Sequence, residues 1–111
     1  MSTSPKTIEI ILEAAADIPT IRARKMFGEY ALYVDEKVVG LVCDDQLFIK
    51  ITDASAALVR TRDPAPPYPG AKDQYRIDAN DWDDREYITG LLLATADSLP
   101  VSKPKKPRKQ K

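Results

Sequence analysis

The residues that most invite a nucleophilic or acid–base interpretation in this chain are its one cysteine and two short groups of aspartates. Cys43 is followed directly by two carboxylates, and nearby negative charge disfavours the thiolate that a nucleophile needs. The aspartates suit neither a hard-cation site nor an acid–base pair, because they lack calcium-loop spacing and lie where turns and helix starts favour aspartate anyway. We therefore predict a packing role for Cys43 and structural roles for the acids. These acids are Asp44, Asp45, Asp81, Asp83 and Asp84.

The chain contains no histidine, which removes the commonest general base near neutral pH and the commonest metal ligand. A Ser-His-Asp arrangement, a Cys-His pair and a histidine-built zinc site are therefore excluded. The four glycines are scattered, so the chain has no glycine-rich phosphate loop. These exclusions predict a protein that is not an enzyme and that holds neither a metal nor a cofactor.

A group of three cations precedes a Met-Phe-Gly run: Arg22, Arg24 and Lys25. These cations suit a solvated connection between elements, or else a basic patch for an acidic partner or a phosphate backbone. The sequence leaves both interpretations open. Met26 and Phe27 directly precede an alternating strand, so we predict that they belong to the core. Gly28 is predicted to permit a bend or bulge at the strand entry.

The length of 111 residues and the composition, 43% hydrophobic and 31% charged, describe one globular domain. The single cysteine rules out an internal disulfide and suits a reducing compartment. The start of the chain lacks a signal-peptide pattern, and no apolar run approaches the ~20 residues of a membrane span. We therefore predict a cytoplasmic location.

The net charge of zero conceals an asymmetry between two parts of the chain. Residues 101–111 carry six of the 17 Lys and Arg residues and no acid, which leaves residues 1–100 with 11 cations against 17 acids. We predict a folded domain over residues 1–100 and a disordered basic tail over 101–111, in which two prolines interrupt regular structure. The tail is predicted to be either a solubilising terminus or a weak, sequence-blind contact for nucleic acid. Its candidate contacts are Lys103, Lys105, Lys106, Arg108 and Lys109.

Hydrophobic periodicity predicts helices near the start, in the middle and at the end of residues 1–100. Ser4 followed by Pro5 is typical of a helix start, and Thr52 has the character of an N-cap for a short second helix. A last helix is predicted after Asn80 or Asp81, because apolar residues repeat there at helical spacing.

Between the first two helices the hydrophobic period changes to two. Three apolar runs, separated by short polar turns at 35–37 and 44–46, predict an antiparallel meander. A fourth strand is predicted at 74–78, after a proline-rich stretch at 62–70 in which we expect no regular structure. The predicted fold is α+β: a two-layer sandwich with an antiparallel sheet of about four strands, helices packed on one face, and the order α-β-β-β-α-β-α.

Strict alternation places three side chains of the predicted second strand of the meander on one face: Val39, Leu41 and Cys43. It places Tyr33 and Phe48, together with Val42, in an apolar patch on the opposite face. An uncovered apolar patch is typical of an interaction surface. Tyr33 and Phe48 are therefore candidate partner-binding residues, and a homodimer through the sheet is a further expectation.

Residues 23–50 resemble the signature region of the TfoX N-terminal domain family. In that family an Arg-x-Met-Phe-Gly run precedes a strand with alternating aromatics, and a Gly-Leu-Val strand and a strand ending in Lys follow. The matching positions are Arg24, Met26, Phe27, Gly28, Tyr33, Gly40, Leu41, Asp45, Leu47 and Lys50. The similarity extends more loosely over about residues 5–99.

The resemblance implies a small α+β sandwich, grouped with chaperone-like dimeric domains, and brings no catalytic residues with it. The founding members, TfoX or Sxy, regulate natural competence together with the cyclic-AMP receptor protein and carry a second, helical domain. In this chain a basic tail follows the matching region instead. We therefore expect a partner-binding module, with a protein of the transcription machinery as partner. The alternative is a nucleic-acid-associated protein that binds through the tail and residues 22–25.

Overall fold

The computed structural model describes residues 3–99. Within this range the helices are Pro5–Ala14 (α1), Asp53–Leu58 (α2) and Arg85–Ser98 (α3). The strands are Arg22–Met26 (β1), Glu29–Val34 (β2), Lys37–Cys43 (β3), Gln46–Ile49 (β4), Pro64–Ala65 (β5) and Gln74–Ile77 (β6), and a 3-10 turn covers Ala79–Asp81. The predicted α+β class and antiparallel sheet are confirmed.

The sheet has six strands in the order β1-β2-β3-β4-β6-β5, and every neighbouring pair is antiparallel. The sequence predicted about four strands, and the two that it missed are the edge strands. Strand β1 is mostly exposed and rich in cations, so it shows no hydrophobic alternation. Strand β5 lies in the proline-rich stretch, where Pro64 is tolerated because an edge position requires no ladder N–H.

The core lies between one face of the sheet and helices α1 and α3. Ile11 of α1 and Leu92 of α3 pack with Leu32 and Leu47 of the sheet in one buried cluster. Each fully buried side chain of this size contributes about 1.5–3 kcal/mol relative to an exposed one. Helix α2 packs against α3 rather than against the centre of the sheet. The predicted packing of helices on one face is thus observed for α1 and α3.

Within residues 3–99, no helix combines the length and the apolar character that a bilayer crossing requires. The predicted basic tail at 101–111 lies outside the described residues.

Three consecutive two-residue turns connect β1 to β4, and both residues of each turn have positive φ. The φ angles are 51° and 84° at Phe27 and Gly28, 52° and 66° at Asp35 and Glu36, and 54° and 59° at Asp44 and Asp45. Two-residue turns of this kind (type I′) match the right-handed twist of the strands that they join. The predicted polar turns at 35–37 and 44–46 are therefore confirmed.

A β-bulge in β3 changes which of its side chains reach the core. Leu32 pairs with Gly40 while the next residue, Tyr33, pairs with Val38, so Val39 is the extra residue between them. An extra residue reverses the alternation beyond it. Val39 and Val42 both join the core cluster, whereas the predicted face of Val39, Leu41 and Cys43 is wrong beyond the bulge. Val42 likewise does not share a face with Tyr33 and Phe48.

Gly40 lies at this bulge, where the sheet leaves no space for a side chain. A Cβ at this position would overlap the Phe48 carbonyl oxygen and approach the Ile49 Cα to 3.2 Å. Both obstacles are backbone atoms, so they cannot move aside as a flexible side chain does. Gly90 differs, because a Cβ on its exposed position in α3 meets no atom within 4 Å.

We predict that Gly40→Ala lowers the free energy of unfolding by about 1–3 kcal/mol or more, because overpacking usually costs this much. The matched control, Gly90→Ala, should stabilise it by about 0.5–1 kcal/mol, because alanine loses less backbone entropy in a helix. Urea denaturation of both variants measures the two changes. A neutral Gly40→Ala would contradict the close approach of β3 and β4.

Candidate functional site

The β1–β2 turn carries the most exposed large apolar side chains near the predicted basic group. Phe27 is 102% exposed and Met26 is 43% exposed. The prediction that both belong to the core is wrong. The last paired residues of this hairpin are Met26 and Glu29, so Phe27 lies beyond the end of the sheet, where neither layer covers it. We call residues 24–28 the hairpin tip.

Phe27 occupies a backbone conformation that aromatic residues rarely adopt. Its φ is 51°, in the left-handed region that type I′ turns fill with Gly, Asn or Asp. For a residue with a Cβ, this left-handed conformation is less favourable by roughly 1 kcal/mol or more. Since the ring is fully exposed, no burial within residues 3–99 offsets this cost. The fold alone therefore gives no reason for phenylalanine at position 27, which makes it a candidate contact residue.

The predicted cations of β1 have unequal surroundings. The Arg22 guanidinium forms an ion pair with Glu36 and lies over the Tyr33 ring, 5.1 Å from its centroid. Arg24 and Lys25 are exposed and form no salt bridge within residues 3–99. Arg22 is therefore largely neutralised by its own neighbours, whereas the two cations nearer the tip keep their charge available.

A buried polar contact at the N-terminus holds the base of the hairpin tip. The Thr3 N–H donates to the Gly28 carbonyl oxygen at 3.0 Å, and the Thr3 hydroxyl donates to the Glu29 carboxylate at 2.6 Å. The Asp44 N–H donates to the same Glu29 carboxylate at 3.1 Å. These contacts give the exposed tip a fixed base. Sequence reasoning missed them, because nothing in a lone threonine near a chain terminus signals a buried hydrogen bond.

Asp45 attaches the β3–β4 turn to the start of α1. Its carboxylate accepts hydrogen bonds from the Ser4 N–H and the Thr7 hydroxyl, both at 2.8 Å, at the first turn of α1. These donors lower the pKa of Asp45, the Ser4 N–H being the larger cause. The carboxylate is therefore ionised at neutral pH, and its stabilising contacts weaken as the pH falls through its lowered pKa.

Tyr33 and Phe48 both lie on the sheet face opposite the helices, but they are not direct neighbours. Tyr33 pairs with Val38, while Phe48 lies in a row that runs across the sheet. That row is Arg24, Ala31, Leu41, Phe48 and Arg76. Phe48 is only 3% exposed and Tyr33 lies partly under Arg22, so this face offers a partner little aromatic surface. Their role in partner binding stays a prediction, as does that of the tail lysines and arginine, which lie outside residues 3–99.

Two acids of the second group, Asp81 and Asp84, contact an arginine. The Arg60 guanidinium contacts the carboxylates of Asp81 and Asp84 and lies over the Tyr87 ring, 4.0 Å from its centroid. These contacts attach the segment after α2 to the start of α3. Within residues 3–99, no group of three or more His, Cys, Asp or Glu side chains is arranged to hold a metal ion.

Cys43 is buried on the sheet face opposite the helices. Its side chain is 3% exposed, and burial raises the pKa of the thiol to about 11, with further contributions from the charges of Glu29 and Asp44. The thiol is therefore protonated at neutral pH, and its surroundings agree with the packing role predicted for it.

We predict that native Cys43 reacts with iodoacetamide at pH 8 at least about 100-fold more slowly than a free cysteine, whose pKa is about 8.5, because the thiolate fraction is smaller by that factor. The same thiol should react fully in denaturant. Mass spectrometry of the alkylated protein follows both rates, and rapid alkylation of the native chain would contradict the burial of Cys43.

Comparison with known proteins identifies the family of this chain. The profile of the TfoX N-terminal domain family matches residues 13–97. An uncharacterised 12.7 kDa protein in the trpE 5′ region of Spirochaeta aurantia is 40% identical over 106 residues, which covers 96% of this chain and 91% of that protein. The chain belongs to the TfoX N-terminal domain family.

Proposed function

We propose that this protein is a non-enzymatic, regulatory binding module that docks on another protein through its hairpin tip. The partner class that the family suggests is the transcription machinery. The proposal rests on one observation above all: Phe27 is fully exposed in a backbone conformation that costs the fold free energy. A cytoplasmic location and a homodimer remain predictions of the sequence.

The chemistry of the hairpin tip defines the surface that would receive it. Phe27 and Met26 supply apolar area, while Arg24 and Lys25 supply two cations without salt bridges in the described chain. The matching surface is an apolar pocket bordered by carboxylates. Burial of one phenylalanine contributes about 1.5–3 kcal/mol, which is the size of an interface hot spot. Hydrogen bonds from Thr3 hold the base of the tip in place. Docking therefore orders fewer degrees of freedom, and its entropy cost is lower.

The variant Phe27→Asn tests this role without disturbing the turn, because asparagine tolerates the left-handed conformation better than phenylalanine. We predict that its free energy of unfolding is equal to or higher than that of the wild type. Capture of the partner from native lysate should fall about tenfold or more, the equivalent of about 1.4 kcal/mol. Quantitative mass spectrometry of the captured proteins measures this loss.

Tyr68→Asn is the matched control, because Tyr68 is also an exposed aromatic, at 53% exposure, but lies in the proline-rich segment before β6. It should leave capture unchanged. Equal capture by wild type and Phe27→Asn would remove the hairpin tip from the docking surface.

The alternative function, nucleic-acid association, is favoured by the exposed charges of Arg24 and Lys25, which form no salt bridge within residues 3–99. Each phosphate contact changes the slope of log affinity against log salt by about 0.9 for duplex DNA. The double variant Arg24→Gln, Lys25→Gln should therefore reduce that slope by nearly two units in a fluorescence-anisotropy titration with duplex DNA.

Arg62→Gln, Lys72→Gln is the matched control, because it removes the same net charge from exposed positions between α2 and β6. It should leave the slope nearly unchanged. If the two double variants behave alike, only overall charge matters, and residues 24 and 25 do not form a nucleic-acid site.

A further inference from the structure

A cleft of about 340 Å³ lies at the end of the sheet where β6 passes into the 3-10 turn and α3. Its lining includes four carboxylates and two aromatic rings: Asp45, Asp63, Asp78, Asp81, Trp82 and Tyr87. Among residues 3–99 the lining contains one cation, Arg76, and Arg60 contacts Asp81 and Tyr87 beside it. We call this feature the acidic cleft.

The carboxylates of the acidic cleft are not equally neutralised. Asp63 pairs with Arg76 at 2.9 Å and Asp81 pairs with Arg60 at 2.8 Å. Asp45 and Asp78 accept hydrogen bonds only from uncharged donors, and neither forms a salt bridge within residues 3–99. The cleft therefore offers two carboxylates that are not paired with a cation in the described part of the chain, and such carboxylates suit lysine and arginine side chains.

The chain itself contains a segment of the complementary charge. Residues 101–111 carry six cations and no acid, whereas residues 1–100 carry 11 cations and 17 acids. We propose that the acidic cleft is a binding site for a lysine- and arginine-rich segment, and that its occupant is residues 101–111 of the same chain. This site is separate from the hairpin tip and does not depend on the function proposed for it.

The length of the chain beyond α3 is sufficient for this contact. The Lys37 ammonium donates to the Ala96 carbonyl oxygen at 3.1 Å, so the end of α3 lies beside the start of β3, while its beginning lies at the cleft. The distance along α3 from Tyr87 to Leu99 is about 18 Å at 1.5 Å per residue. Residues 100–111 span up to about 40 Å when extended, so the cations of the second half of the segment reach the cleft.

The exposed side of α3 provides a path for the returning segment. Glu86, Gly90, Leu93 and Asp97 are exposed and follow one another at helical spacing along this side. Asp97 lies near the start of the segment and Glu86 near the acidic cleft. Gly90 leaves the surface open between them, since no atom lies within 4 Å of a Cβ placed there.

Attachment in the same chain favours this occupant over a separate basic protein. A tethered segment experiences an effective concentration in the millimolar range, so even weak ion pairs keep the site occupied at low salt. A polyanion must then displace residues 101–111 from the cleft before it can bind them. The contact thus makes the chain's own acidic cleft a competitor of nucleic acid for residues 101–111.

Paramagnetic relaxation in the full-length chain tests the contact. A single nitroxide on Gln110→Cys labels the segment selectively, because native Cys43 is buried and has a pKa of about 11. We expect the amide signals of Asp78 and Ala79 and the indole signal of Trp82 to lose at least about half of their intensity at low salt, and to recover at about 0.5 M salt, where the Debye length is near 4 Å. Amide signals at Asp35, at the opposite end of the sheet, should change less.

Charge variants of the cleft provide the second arm of this experiment. Asp45→Asn with Asp78→Asn removes both uncompensated charges while keeping an oxygen acceptor at each position, and it should abolish the broadening of the Trp82 indole signal. Glu9→Gln with Asp73→Asn is the matched control, because it removes two charges from exposed positions outside the cleft lining, and it should leave the broadening intact.

Three results would overturn the proposal. The first is an absence of broadening at the cleft at low salt. The second is broadening that survives in the Asp45→Asn, Asp78→Asn variant. The third is broadening in a mixture of isotope-labelled wild type with unlabelled, nitroxide-bearing protein, which would assign the cleft to a segment from another molecule. None of these results bears on the Phe27→Asn experiment, so the two proposals stand or fall separately.

Discussion

The close approach of β3 and β4 at Gly40 is the constraint on which the rest of the sheet depends. Because residue 40 has no side chain, the Phe48 backbone lies where a Cβ would otherwise be, and β3 accommodates one extra residue beside it. That extra residue places both Val39 and Val42 in the core. It also turns Leu41 and Cys43 to the other face, so the bulge beside Gly40 decides which side chains of β3 reach the core.

The two surfaces that carry the proposals lie at the same end of the sheet and share a support. The hairpin tip comprises the end of β1 and the turn after it, and Asp45, in the β3–β4 turn, lines the acidic cleft. Thr3 contacts both turns: its N–H donates to the Gly28 carbonyl oxygen, and its hydroxyl oxygen accepts from the Asp45 N–H at 3.2 Å. One buried threonine thus fixes an apolar, basic surface next to an acidic one, and the protein presents opposite charges at neighbouring positions.

The sequence predicted those features that depend on neighbouring residues. Ser4 and Thr52 cap α1 and α2 as expected, and the central strands and their polar turns follow directly from alternation. Features that depend on residues distant in the sequence were not predicted. The start of α3 is capped by Asp84 rather than by Asn80 or Asp81, since a 3-10 turn covers Ala79–Asp81 first. Of the candidate site, the cations near position 24 were identified, but the exposure of Phe27 was not, since an apolar residue before a strand resembles the core.

The three tight turns between β1 and β4 have a consequence for how the chain acquires its structure. Each of the first four strands pairs with its immediate neighbour in sequence, so the loops that must close are very short and their entropy cost is small. The pairing of β4 with β6 instead spans α2 and the proline-rich segment. We expect the four-stranded ribbon to assemble first and to act as a template, with the acidic cleft completed only when the later strands and α3 arrive.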